Sequence, residues 1–97
     1  SHAVEANKAI PTEPHVMVKF PTCITGPYDD VLMHDLEMVD YEVELVLAIG
    51  RQGVRIPSSS AWDHISGLMV GNDVSDRNEQ FRPPIRQFSM AKSYDRF

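Results

Sequence analysis

Tyr41-Glu42-Val43-Glu44-Leu45-Val46-Leu47-Ala48-Ile49-Gly50 is a run of strand-forming residues with two carboxylates set two positions apart. Side chains alternate across a strand, so Glu42 and Glu44 emerge on one face. Carboxylates side by side among apolar neighbours suffer desolvation and mutual repulsion, and a bound divalent cation is the commonest way to make such a pair tolerable. The run predicts a strand over Asp40 to Ile49, buried on most of its length, that carries part of a metal site and asks for a third ligand.

Working outward, Gly50-Arg51-Gln52-Gly53 supplies a turn. Ser58-Ser59-Ser60 then offers an N-cap, with Asp63 three residues after Ser60. That capping box predicts a short helix over Ala61 to Ser66, ended by Gly67 and anchored to the core by Trp62. Leu68 to Val74 reads as a second strand, Pro83-Pro84 breaks the chain, and Arg86 to Ser93 carries mixed signals. Towards the amino terminus, Ser1 to Lys8 has helix-forming composition, stopped by Pro11 and Pro14. Val16 to Phe20 reads as a short strand closed by Pro21, and Thr25 to Asp30 as a loop.

The 97 residues support one small domain, and no internal repeat is present. With 42% hydrophobic and 24% charged residues the chain is ordinary for a globular protein, while 9 basic against 14 acidic residues disfavour nucleic-acid or anionic-membrane partners. A small-molecule partner is expected instead. The single cysteine, Cys23, has no partner for an internal disulfide and reads as packing, and no apolar run approaches the ~20 residues that span a bilayer. The lone cysteine makes a cytosolic, reducing location the default expectation, and the amino terminus shows no basic-then-apolar signal pattern, which constrains targeting only weakly. His34 and His64 read as polar surface groups.

Three further sets of residues carry chemistry. Asp73, ending the second strand, is a plausible third oxygen ligand, because hard cations such as Mg2+ and Mn2+ favour carboxylates and leave open positions for a chelating substrate. Spacing alone leaves open a solvated sheet face at Glu42 and Glu44 with Asp73 capping a turn. Lys92, among small and aromatic neighbours, is placed to stabilise an oxyanion, although a single lysine is most often a solvated surface group. His2 and Glu5, at i and i+3, would share a helix face, where the carboxylate could orient the imidazole to activate water. The same pair also reads as a frayed terminus with two unrelated polar residues.

His2-Ala3-Val4-Glu5, Tyr41 to Leu45 running on to Ile49-Gly50-Arg51, Asp63-His64-Ile65-Ser66-Gly67, Gly71-Asn72-Asp73-Val74-Ser75-Asp76-Arg77 with Gln80, and Ala91-Lys92-Ser93-Tyr94-Asp95 occur in this order. Together they resemble the fumarylacetoacetate hydrolase family over nearly the whole chain. The resemblance implies an α+β, mostly β fold, a mixed sheet with short helices. Residues 1–97 would form one partial catalytic domain, with 1–9 a lid-helix segment and 14–97 the metal-site β region. It implies a divalent-metal enzyme acting on small 2-oxo or β-dicarbonyl acids by C–C hydrolysis, decarboxylation or isomerisation through a metal-bound enolate. Glu42, Glu44 and Asp73 match the family's metal ligands, for Mg2+ or Mn2+ with Ca2+ a further candidate. Lys92 matches its charge-stabilising lysine, His2 with Glu5 its water-activating dyad, and Arg77 with Gln80 its substrate contacts. A homodimer is implied as well.

The chain departs from the pattern at Asn78, where an aspartate commonly follows the arginine, and at Ser1, where the usual preceding context is absent. Family members also continue past the lysine segment, so the expected fold is incomplete at the carboxyl end, either as a piece of a longer protein or with residues omitted between Gln80 and Pro83. The alternative to an enzyme is a non-catalytic fragment, a metal-binding or subunit-interface module with exposed strand edges.

Overall fold

The computed structural model describes residues 2–5 and 7–97, with His2 described by its backbone alone. Helix α1 (His2–Glu5) opens the chain. It ends well before Pro11 because Asn7 takes a left-handed φ of 52°. Lys8 N then donates to Ala3 O at 2.7 Å and Asn7 N to Val4 O at 3.0 Å. These are the paired bonds of a Schellman closure, which tolerates asparagine in place of glycine.

The expected strand over Val16 to Phe20 is extended but joins neither ladder. Its backbone partners are hydroxyls. Val18 N donates to Ser89 Oγ at 3.1 Å, Phe20 N donates to Ser93 Oγ at 3.2 Å, and Ser93 Oγ donates back to Val18 O at 3.3 Å. Two residues of extended chain advance roughly 6.6 Å and four residues of helical path about 6 Å. Serines four apart, at and beyond the short helix over Phe88–Ala91, therefore meet amides two apart. A single turn of 3-10 helix at Pro21–Cys23 follows.

The centre of the molecule is a two-stranded antiparallel ribbon interrupted once. Strand β1 (Val39–Asp40) pairs with β4 (Ser75–Asp76), and β2 (Val43–Ile49) pairs with β3 (Ile65–Asn72). Asp40 faces Ser75, Val43 faces Asn72, and the residues between them keep the same register, since Asp73 N donates to Glu42 O at 2.8 Å. The single strand expected over Asp40 to Ile49 is thus two strands. At the break Asp40 Oδ1 accepts from Tyr41 N at 2.9 Å, and Asp73 O, the carbonyl opposite Glu42, accepts from Ser75 Oγ at 3.1 Å, a side chain competing with the ladder for a backbone acceptor. A bulge sits between Ala48 and Ile49.

The expected α-helix over Ala61 to Ser66 is a 3-10 helix over Ser58–His64 with no side-chain cap bond, so the Ser60–Asp63 capping box does not form. It runs directly into β3, and Gly67 lies inside that strand rather than ending a helix. Trp62 is 69% exposed and anchors nothing. Helix α2 (Arg77–Phe81) is capped by Asp76, whose carboxylate accepts from Asn78 N at 3.0 Å and Glu79 N at 3.3 Å. Helix α3 (Phe88–Ala91) delivers Lys92 at its carboxyl end.

Cys23, Val74 and Phe97 form a small buried cluster, with Leu36, Val39 and Tyr94 packed against it. Cys23 is a packing residue as expected, its thiol donating to Phe20 O. The ribbon is different: Leu45 and Val70, facing partners in the ladder, are 67% and 78% exposed, so β2 lacks the burial its apolar run predicts.

Gly50 and Gly67 respond oppositely to an added methyl. At Gly50 a Cβ would sit 2.5 Å from Ser66 Cβ and 3.4 Å from its Cα, whereas at Gly67 it meets nothing within 4 Å. In urea unfolding of the full-length protein, Gly50→Ala is expected to lose about 1–3 kcal/mol, and Gly67→Ala to change stability by less than about 0.5 kcal/mol. Equal effects would contradict this packing.

Candidate functional site

The site lies where the ribbon is interrupted. Alternation carries Asp40, Glu42 and Glu44 onto one face of the first strand path. The register places Ser75, Asp73 and Gly71 opposite them in turn. Above this face, α3 places Lys92 and α2 places Arg77. The Lys92 side chain is 1% exposed, and its ammonium donates to Glu42 Oε2 at 2.9 Å, Asp73 Oδ2 at 2.7 Å and Ser75 Oγ at 2.7 Å. All three of its donors are thereby used.

Arg77 holds Glu42 from the other side. Its Nη1 donates to Glu42 Oε1 at 2.5 Å and to Gln80 Oε1 at 2.6 Å, while Nε and Nη2 donate to Asp40 Oδ2 at 3.0 and 2.9 Å. Lys19 completes the surround, donating to Val74 O at 3.1 Å and lying 3.1 Å from Asp73 Oδ1. That second contact has the distance of an ion pair but not the alignment of a hydrogen bond, so the buried Oδ1 has no hydrogen-bond donor. Three cations, Lys19, Arg77 and Lys92, face three carboxylates, Asp40, Glu42 and Asp73.

This arrangement sets the protonation of its members. Burial works to raise the Glu42 carboxyl, yet the hydrogen bonds from Lys92 and Arg77 outweigh it and hold the group below its ordinary value. The hydrogen bond from Arg77 lowers Asp40 as well. Burial works against the Arg77 guanidinium, but Glu42 and Asp40 more than compensate and raise it. The two carboxylates at the break are therefore ionised and available as oxygen donors across the neutral range.

Glu42, Asp73 and Lys92 are brought together, and Arg77 touches both Glu42 and Gln80. Glu44 shares the face two ladder pairs further on, opposite Gly71, but is exposed. A Cβ at Gly71 would sit 2.6 Å from Val46 Cγ2, so glycine keeps the surface beside Glu44 low. His2 and Glu5 lie on α1 at the expected separation. The His2 side chain lies outside the described residues. Asp40, Ser75 and Lys19 were missed. The period-2 step from Glu42 back to Asp40 and from Asp73 on to Ser75 could have found the first two, whereas Lys19 arrives by tertiary packing alone.

Hard oxygen donors suit Mg2+ or Mn2+, and Asp73 Oδ1, buried without a hydrogen-bond donor, is an acceptor a cation would satisfy. Glu42 and Asp73 already converge on one cationic point, occupied by the Lys92 ammonium. Among the described residues no three His, Cys, Asp or Glu side chains converge closely enough to hold an ion in this arrangement. The donor set fits a divalent ion by chemistry and by shared face, with Glu44 as the member still apart.

A family model described as the carboxy-terminal domain of fumarylacetoacetate (FAA) hydrolase matches residues 1–97. Among curated proteins, the fumarylacetoacetate hydrolase domain-containing protein 2 homolog of Dictyostelium discoideum is 44% identical over 97 residues, covering 99% of this chain and 32% of that protein. The human protein named oxaloacetate tautomerase FAHD2A, mitochondrial, is 39% identical over 97 residues, again covering 99% of this chain and 31% of its own length. The chain thus spans about a third of these relatives. A crystal structure from Mycobacterium smegmatis, of a protein assigned as HpcE, superposes with a TM-score of 0.85 at 41% identity, covering 97% of this chain and 33% of that one.

Tyr94 gives a test of the packing around α2. Burial first, and then the Asp76 and Glu79 carboxylates, push its phenol above the ordinary 10.0. Between that value and the higher folded one, the folded chain retains a proton the unfolded chain has lost, so stability falls as pH rises. The urea midpoint of the full-length protein is expected to drop more steeply between about pH 9 and about pH 11 than that of Tyr94→Phe. Parallel slopes would remove Tyr94 from this role.

Proposed function

This chain belongs to the fumarylacetoacetate hydrolase family, and from that premise we propose that it carries the ion-binding and charge-stabilising part of an enzyme acting on small 2-oxo or β-dicarbonyl acids. The observation that carries this reading is the convergence of Glu42 and Asp73 on Lys92 across a facing strand pair. Glu42, Glu44 and Asp73 would hold Mg2+ or Mn2+, with Ca2+ a further candidate. When bound, such an ion supplies Lewis-acid polarisation of a carbonyl and a template for a chelating substrate.

The chain's own residues do the rest. Removing a proton next to a ketone, or breaking the C–C bond beside it, leaves negative charge on the carbonyl oxygen, and Lys92, the buried cation of the site, would meet it by exchanging one of its three hydrogen bonds. Arg77 fixes the Glu42 carboxylate through one oxygen and is itself fixed by Asp40, so Glu42 is oriented before any ligand arrives. Gln80, buried against Arg77, would present its amide to the substrate. Of the three reaction types, isomerisation has the support of the human relative's name, oxaloacetate tautomerase. It also asks least of His2 and Glu5, because no water need be activated for a proton to move between carbon and oxygen.

A second reading, a subunit-interface module, is favoured by the exposed apolar side chains of β2 and β3, and the expected homodimer would use that surface. As to compartment, no helix among the described residues is long and apolar enough to cross a membrane. The human relative's name places that protein in mitochondria, and a cytosolic site for this chain rests only on its having one cysteine.

Isothermal titration of Mg2+ and Mn2+ into the full-length protein, with and without oxalate as an enolate mimic, tests the site. Saturable binding that oxalate tightens, and that Glu42→Gln/Asp73→Asn abolishes, is expected; no binding by a folded protein would refute it. His2→Ala is expected to leave enolisation of oxaloacetate, followed by enol absorbance, within about threefold of the parent while lowering any C–C hydrolysis by 10²-fold or more. Equal losses would make the dyad common to both reactions.

A further inference from the structure

Asp73 is held between two lysines that lie far apart in sequence. Lys92, at the end of α3, donates to Oδ2 at 2.7 Å, and Lys19, on the extended segment, lies 3.1 Å from Oδ1. Burial and three hydrogen bonds fix Lys92, whereas the Lys19 side chain is 25% exposed and its segment joins no ladder. What places Lys19 is its backbone. Val18 O and Phe20 N belong to the two peptide groups that flank the Lys19 Cα, and both bond a single atom, Ser93 Oγ, at 3.3 and 3.2 Å. In an extended chain these two groups point to the same edge, and a hydroxyl donates and accepts at once, so one oxygen serves both. Ser93 directly follows Lys92. The backbones of the two lysines that face Asp73 therefore meet at one hydroxyl.

We propose that Ser93 is a positioning residue whose hydroxyl sets the Lys19 ammonium against Asp73, so that the serine acts on the chemistry through Lys19 and not through Lys92. This rests on the function proposed above and extends it. Lys19 spends its aligned hydrogen bond on Val74 O and offsets the charge of Asp73 Oδ1 at ion-pair distance. With Lys19 withdrawn, Asp73 loses one of its two counter-charges, and the surplus negative charge opposes the enolate that Lys92 is to meet. Lys92 keeps its place without the Ser93 hydroxyl, because Glu42, Asp73 and Ser75 hold its ammonium. The extended segment does not come away either: Val18 N stays on Ser89 Oγ, and Arg96 N stays on Thr22 O at 2.9 Å. Losing the hydroxyl is thus felt at the residue it brackets.

A double-mutant cycle in the full-length protein tests this, with Ser93→Ala, Lys19→Met, the two combined, and Ser93→Thr as the conservative rescue. Enolisation of oxaloacetate is the readout and circular dichroism the folding check. Ser93→Ala and Lys19→Met are each expected to lower kcat/KM by about tenfold or more. In the combined variant the serine change is expected to add less than about threefold to the loss from Lys19→Met, because it acts through a side chain already gone. Ser93→Thr, which keeps the hydroxyl, is expected to stay within about threefold of the parent. Full activity in Ser93→Ala, a serine effect equally large with and without Lys19, or a loss that threonine does not rescue overturns the proposal; a serine that only held the fold would act alike in both backgrounds. If the unaltered protein does not enolise oxaloacetate, the isomerase reading fails, and the Asp73 13Cγ resonance, identified by its loss in Asp73→Asn, decides the positioning role alone. Ser93→Ala is expected to move that signal in the direction Lys19→Met moves it and to leave it unmoved once Lys19 is methionine, and a signal indifferent to Ser93 overturns the proposal. Should Ser93→Ala not fold, Ser93→Cys, with only a weak donor and acceptor, takes its place in the cycle with the same expected and overturning results.

Discussion

A buried ammonium with three oxygen partners is the constraint on which the rest of this fold depends. Lys92 comes from the end of α3, yet its partners come from either side of the ribbon break, so one charge ties the helix to both strand paths. Breaking a buried ion pair by removing one partner costs about 3–5 kcal/mol, because it strands a charge away from water. Across the break Glu42 keeps one backbone bond, accepted from Asp73 N, while its carboxylate is given to this charge; the return bond from Glu42 N to Asp73 O, worth about 1 kcal/mol in a continuous ladder, gives way to the Ser75 hydroxyl.

Around that ammonium the charges are matched rather than merely clustered. Two unit charges 4 Å apart interact by about 4 kcal/mol at an effective dielectric constant of 20, so an unmatched carboxylate here would be expelled or neutralised. Asp40 is the residue that makes the count even. It has no contact with Lys92, but by engaging Nε and Nη2 of Arg77 it leaves Nη1 aimed at Glu42 and Gln80. Glu42 is consequently gripped through both oxygens by groups on different elements, the kind of preorganisation that lets a carboxylate act as a fixed donor.

The chemistry of this site was more legible in the sequence than its architecture. Glu42, Asp73 and Lys92 meet because a period-2 strand, an antiparallel register and a helix end bring them together, and the ordered motifs pointed to all three. Local structure misled wherever a side chain or a neighbouring segment overrode propensity. Ser75 Oγ took the Asp73 carbonyl that a continuous strand would have offered to Glu42. Ser58 to His64 wound as 3-10 helix because its capping box never closed. Asp76 and Glu79 spelled a capping box for α2 that went unread beside the stronger strand signal of Leu68 to Val74. The apolar run of β2 was read as buried because periodicity reports which residues would share a face, not what covers it.

The extended segment before Pro21 has a consequence of another kind. In a ladder, every residue except proline offers the same donor and acceptor, so pairing survives nearly any exchange of side chain. Here the join between Val18, Phe20 and the end of α3 is written in two serine hydroxyls. Single-nucleotide changes turn serine codons into codons for residues with no hydroxyl, and each removes a contact that no backbone group replaces. Over evolutionary drift, then, the attachment of Lys19 beside the site is inherited through Ser89 and Ser93 as specific letters, while the ribbon that holds Glu42 and Asp73 is inherited through shape.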